Sequence, residues 1–218
     1  MFKNKKNVFW QALILTGVIF IFGLVLGMAF ESSRLSKINE YYAIAEISLM
    51  DILALNSMIG LDDANCSILF NSNIEFADKI YEEALLLEKY EESGKMSDSI
   101  KLAHRKYDLL RTFLWINTIK LKEKCQQNFS VIVYLYEYDP EELTKKATQI
   151  VWSRILFQLK QEKGNEIILI PIAINSDIES LDSLIEKYEF SDFPKIIIDN
   201  EYIISELSSI EEIKKHLN

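Results

Sequence analysis

Val8 to Phe30 reads VFWQALILTGVIFIFGLVLGMAF, 23 residues without a charge. No other stretch constrains the chain so tightly. At about 1.5 Å of rise per residue such a helix crosses roughly 30 Å of hydrocarbon, and a soluble helix of that length keeps a polar face. A membrane span over residues 8–30 is therefore expected. Lys3, Lys5 and Lys6 precede it with no acid, while Arg34 and Lys37 follow it interleaved with Glu31 and Glu40. The bias of positive charge places residues 1–7 in the cytoplasm and the rest of the chain outside the cell membrane. Gly27 and Ala29 resemble a small-residue cleavage site, yet the apolar run exceeds the usual signal-peptide core. An uncleaved signal anchor is expected. Gly23 and Gly27 form a GxxxG, the spacing that lets two spanning helices approach closely as a homodimer.

The formal net charge is -9, although the first thirty residues are basic. A body this acidic repels phosphate backbones, which argues against nucleic acid as a partner.

Residues 31–128 read as a helical bundle or stalk. Ile38 to Ile59 is apolar on most sides, contains no proline and can continue the span outward to Gly60. Ser72 and Glu75 fit a capping box, predicting a second helix from about Asn73 to Glu92 that stops near Gly94. Ser97 or Asp98 can cap a third. Along that third helix Ile100, Ala103, Tyr107, Leu110, Leu114, Asn117 and Leu121 recur at alternating steps of three and four, the seam of a packed helix. Asn117 is a candidate for fixing its register.

Cys66 and Cys125 are the only cysteines. One stands just before the second helix and the other at the end of the third. Those ends are neighbours in an antiparallel pair, so a disulfide is reasonable in the oxidising compartment outside the cytoplasm. Two free thiols or a redox couple are the alternatives. Asn65-Cys66-Ser67 and Asn128-Phe129-Ser130 fit the glycosylation acceptor triplet.

From residue 129 the texture changes. VIVYLYEY is a strand by its β-branched and aromatic content. Asp139 as N-cap with Pro140 at the first helical position predicts a helix to about Lys163, stopped by Gly164. EIILIPIAI is a second strand. Ser176 and Glu179 suggest a capped helix to about Tyr188. KIIID and EYIIS are strands joined at Asp199-Asn200, residues that tolerate a positive φ. Ser208 and Glu211 suggest a last short helix to Leu217.

The order strand, helix, strand, helix, strand, strand, helix resembles the minimal thioredoxin fold over residues 129–218. The fold class implied for the whole chain is α/β: a transmembrane helix, a helical bundle or stalk, then a thioredoxin-like domain. The resemblance implies a cis peptide at Phe193-Pro194, just before the third strand and facing the turn at Tyr138, Asp139, Pro140 and Glu141. It also implies that the second strand is a sheet edge, where Pro171 is tolerable. Redox members carry Cys-x-x-Cys at the start of the first helix, where the helix terminus lowers a thiol pKa. Here YEYDPEELTKK holds no cysteine, which excludes dithiol exchange at that place.

His104 and His216, the only histidines, have no metal-ligand spacing with the cysteines, and neither P-loop nor GxGxxG nor GxSxG occurs. No cofactor or metal is expected and no catalytic residue stands out. Tyr134, Tyr136 and Tyr138 alternate along one strand face. The reading reached from sequence is a membrane-anchored, redox-inactive module that binds a protein or peptide through Phe193, Pro194 and residues 138–141. The alternatives are a thiol-disulfide oxidoreductase using Cys66 and Cys125, and a structural subunit of a membrane complex.

Overall fold

The computed structural model describes residues 5–58, 65–92, 98–125 and 129–217. The chain divides into two units, Met1–Tyr41 and Tyr42–Asn218. The expectations at Gly60, Gly94, Ser97 and Asn128 lie outside the described residues, as does Lys3.

In the first unit the described residues belong to one helix, α1 (Lys5–Met58). Phe9–Phe30 within it is long and apolar enough to cross a membrane, and none of it is buried against protein. A helix satisfies its own backbone groups, as a span in hydrocarbon requires. A Cβ added at Gly23 or Gly27 would meet nothing within 4 Å, so that face is open to a close neighbour.

The second unit is mixed α/β, with a four-stranded sheet in the order β2-β1-β3-β4. Its strands are β1 (Ser130–Tyr136), β2 (Ile167–Ala173), β3 (Lys195–Ile198) and β4 (Tyr202–Ile204). β1 runs parallel to β2 and antiparallel to β3, and β3 is antiparallel to β4. Pro171 lies on β2, an edge of this sheet, where a missing N–H breaks no ladder bond. The helices are α2 (Cys66–Glu92), α3 (Asp98–Cys125), α4 (Leu143–Lys163), α5 (Glu179–Lys187) and α6 (Ile210–Lys214).

Several helix starts differ from the sequence expectation. α2 begins a full turn and more before Ser72. Its N-cap is Asn65, whose Oδ1 accepts from the N–H of Ser67 at 3.0 Å. Asp139 does not cap α4. It takes a positive φ of 45° in the preceding turn, and the helix starts after Glu142. The Ser176 hydroxyl is drawn away from α5 by a buried carboxylate on α3, so α5 starts after Ile178 with no side-chain cap. The last capping box is formed by Ser209 and Glu212, one residue beyond the expected pair. Gly164 ends α4 as expected, at a φ of 54° that a Cβ would oppose.

Six of the seven β1 residues are buried, so both faces of the sheet are covered. On one face Ile132 and Tyr134 pack with Trp152, Leu156 and Leu159 of α4 and Ile213 of α6. α3 lies against β1 and β2 on the other, beside α5. Residues 42–128 of the expected helical segment thus fall in the same compact unit as the sheet, which contains position 128/129, while residues 31–41 belong to the first unit. All seven residues of the predicted seam are buried. The buried Asn117 amide nitrogen has no hydrogen-bond partner among the described residues.

A second face of α3 is polar and equally buried: Asp108, Arg111, Thr112 and Thr118 beside Trp115. Trp115, fully buried, donates from Nε1 to Asn200 Oδ1 at 2.8 Å, and Lys122 pairs with Asp199. Asp199 and Asn200 form the β3–β4 turn with φ of 54° and 60°, as the sequence expectation requires. Asp199 also accepts from the N–H of Val131 at 2.7 Å, tying the turn to the start of β1. Replacing Asn200 with glycine keeps the left-handed backbone accessible but leaves the buried indole N–H without its acceptor. The expected loss is about 1–3 kcal/mol, read as a shift of the urea midpoint. A midpoint unchanged from wild type would show that the indole finds another acceptor.

Candidate functional site

Leu135 on β1 stands opposite Lys195 on β3 in an antiparallel pair. Residues leaving β1 and residues entering β3 therefore emerge at the same end of the sheet. Tyr138 to Glu141 and Phe193-Pro194 both lie toward that end. The Phe193-Pro194 bond is cis. Tyr138, Pro140, Phe193 and Pro194 are half-buried, while Asp139 and Glu141 are exposed. Leu143, the first residue of α4, is 82% exposed. It stands directly after the acidic residues Glu141 and Glu142.

The turn is held by two side-chain amides. Asn175 Oδ1 accepts from the Tyr138 N–H at 2.8 Å, and Asn175 Nδ2 donates to the Tyr138 carbonyl at 3.0 Å. Gln149, oriented so that both amide atoms are satisfied, accepts from the Glu137 N–H at 2.8 Å and donates to the Glu137 carbonyl at 3.1 Å. Each amide takes the place of a neighbouring strand, so the main-chain polar groups of Glu137 and Tyr138 stay paired as the chain leaves the sheet and bends.

Charges are also paired here. Lys145 Nζ binds Glu137 at 2.6 Å, and Lys146 binds Asp139 at 3.1 Å. The hydrogen bond to Glu137 holds the Lys145 ammonium above its ordinary pKa, with Glu142 and Asp192 adding to the effect. Lys145 thus feels carboxylates from the turn after β1 and from the segment before Pro194. Beneath the turn, burial first and then Tyr136 push the Tyr134 phenol well above its usual range. Tyr134 and Tyr136 stack with ring centroids 5.4 Å apart on the α4 side. Tyr138 leaves that row and packs on His104 of α3 at 4.3 Å, which gives His104 its place.

Beside the turn an open groove of about 510 Å³ runs along α4. Tyr138, Asp139 and Pro140 line it together with Lys146, Ile150 and Arg154, whereas Phe193, Pro194 and Glu141 are not in its lining. Sequence reading missed Lys146, Ile150 and Arg154. Their spacing of four, which sets them on one helix face, was the available signal. Gln149 and Asn175 carried no such signal, because each acts on backbone distant in sequence.

Cys66 and Cys125 form a disulfide with Cα atoms 5.6 Å apart. They join the first residue of α2 to the last of α3. Among the described residues no cysteine is free and no cluster of three potential metal ligands occurs. Comparison with protein-family models, curated proteins and solved structures finds no match to this chain.

Proposed function

We propose that this chain is a membrane-anchored, redox-inactive thioredoxin-like module that binds protein outside the cytoplasm. The observation that carries the reading is the exposed Leu143 at the start of α4, at the sheet end shared with Phe193 and Pro194. Leu143 shares its helix face with Ile150, which is 47% exposed, and an exposed apolar patch beside the turn suits contact with another chain better than it suits chemistry. The strand order and the flanking helices agree with the resemblance. The basic start and the apolar span support an anchor with its N-terminus in the cytoplasm. The open face at Gly23 and Gly27 suits a second copy of the span. The disulfide between two packed helix ends acts as a structural staple.

The test is a photo-crosslinking amino acid placed at Leu143 in the full-length membrane protein, with exposed Gln161 on α4 as the control position. Discrete protein adducts are expected at 143 and not at 161. Phe193→Ala should reduce them several-fold while the protein stays in the membrane fraction. Absence of adducts at 143, or equal adducts at both positions, would overturn the reading.

A further inference from the structure

Four charged side chains line the groove along α4: Glu137, Asp139, Lys146 and Arg154. Three are consumed within the protein, Glu137 by Lys145 and Asp139 by Lys146. Arg154 is exposed and has no ion pair or hydrogen bond among the described residues. It stands one helical turn beyond Ile150, which is 47% exposed, with Pro140, Tyr136 of β1 and Tyr138 completing an apolar wall. With both lining carboxylates paired to lysines, Arg154 is, among the described residues, the one charge of the groove lining left open, at the edge of an apolar wall. Its planar fork of N–H donors matches a carboxylate.

The turn backbone limits how a ligand can be read. Main-chain groups of Glu137 and Tyr138 are already paired with Gln149 and Asn175. They are not available to add a strand from a ligand, so recognition falls to side chains. The groove volume lies within the range of about 300–1,000 Å³ seen for sites that take a small group or a few side chains.

We propose that this groove binds an apolar peptide segment carrying an acidic side chain, with the carboxylate held by Arg154 and its apolar neighbour against Ile150 and Pro140. This rests on the protein-binding reading above and names the class of sequence bound. The interaction adds no covalent step. It selects acidic over neutral segments through charge complementarity at one exposed position.

The experiment uses the full-length chain in nanodiscs and fluorescence anisotropy. The probes are a fluorescein-labelled pentapeptide with glutamate between two leucines on each side, and its glutamine and lysine counterparts. Wild type should bind the glutamate peptide roughly 3- to 5-fold more tightly than the glutamine one, the upper end of what an ion pair at an exposed site supplies. Arg154→Gln should abolish that ratio, and Arg154→Glu should transfer the preference to the lysine peptide. Arg154 is exposed, so neither substitution threatens the core. Equal affinity of wild type for the glutamate and glutamine peptides, or a ratio that survives Arg154→Gln, would overturn the proposal. If that happens while adducts persist at Leu143, the protein-binding reading stands without this specificity. Loss of both removes the reading itself.

Discussion

Asp108→Ala is expected to lower the unfolding free energy by about 3–5 kcal/mol, the range for breaking a buried charge pair from one side. Asp108 is fully buried on α3. One carboxylate oxygen accepts from Arg111 at 3.2 Å and from the Ala173 N–H at 3.1 Å, and the other accepts from the Ser176 hydroxyl at 2.6 Å. One side chain thus connects α3 to the end of β2 and to the approach to α5. Removing it strands a buried guanidinium and a buried backbone donor, each of which lost water on folding. The measurement is urea unfolding of the full-length protein in detergent, followed by tryptophan fluorescence. Adding Arg111→Leu should recover part of the loss, because the stranded cation is then gone. A loss below about 1 kcal/mol in Asp108→Ala would show that the carboxylate does not hold α3 on the sheet.

The second large effect concerns the disulfide. Cys66 and Cys125 are 59 residues apart. On the chain-entropy estimate, closing a loop of that size restricts the unfolded chain enough to stabilise the fold by about 4 kcal/mol. Replacing both cysteines with serine should therefore lower Tm by roughly 8–16 °C for a unit of this size. Alkylating the reduced wild type should reproduce that decrease. The crosslinks at Leu143 should survive below the lowered Tm, since neither cysteine belongs to that turn. A variant with unchanged Tm would show that α2 and α3 are held by packing alone. A variant that keeps its Tm but loses the crosslinks would move function to the cysteines and favour the thiol-exchange alternative.

Much of the second unit was legible because its signals are local. The strands over 130–136 and 167–173 announce themselves by β-branched runs, Gly164 by its place after an amphipathic helix, and Asp199-Asn200 by their tolerance of positive φ. Helix starts were less legible. Ser72, Asp139 and Ser176 each had the chemistry of an N-cap, yet only the surroundings decide whether a hydroxyl or carboxylate turns to its own backbone. Ser176 turns to Asp108, 68 residues away. At the candidate site, residues 138–141 and 193–194 could be named from the resemblance. The amides that fix the turn could not, because nothing near Gln149 or Asn175 marks them as partners of Glu137 and Tyr138.

By itself the sequence determined the charge-free span, the seam on α3, the strand and helix order, and the absence of a thiol in the turn after β1. Those depend on composition and short-range periodicity, which the physics of burial converts directly into structure. Only the tertiary structure decided that α3 is buried on two sides. One side is the apolar seam. The other is a row of polar residues, Asp108, Arg111, Thr112 and Thr118, that reads as a solvated face. It is buried because Asp108 accepts from Arg111, the Ala173 N–H and the Ser176 hydroxyl, while Thr112 and Thr118 donate to carbonyls of their own helix and the neighbouring Trp115 donates to Asn200. A polar side chain can leave solvent only when its partner is in place, and partners 65 to 85 residues away in sequence are supplied by the fold.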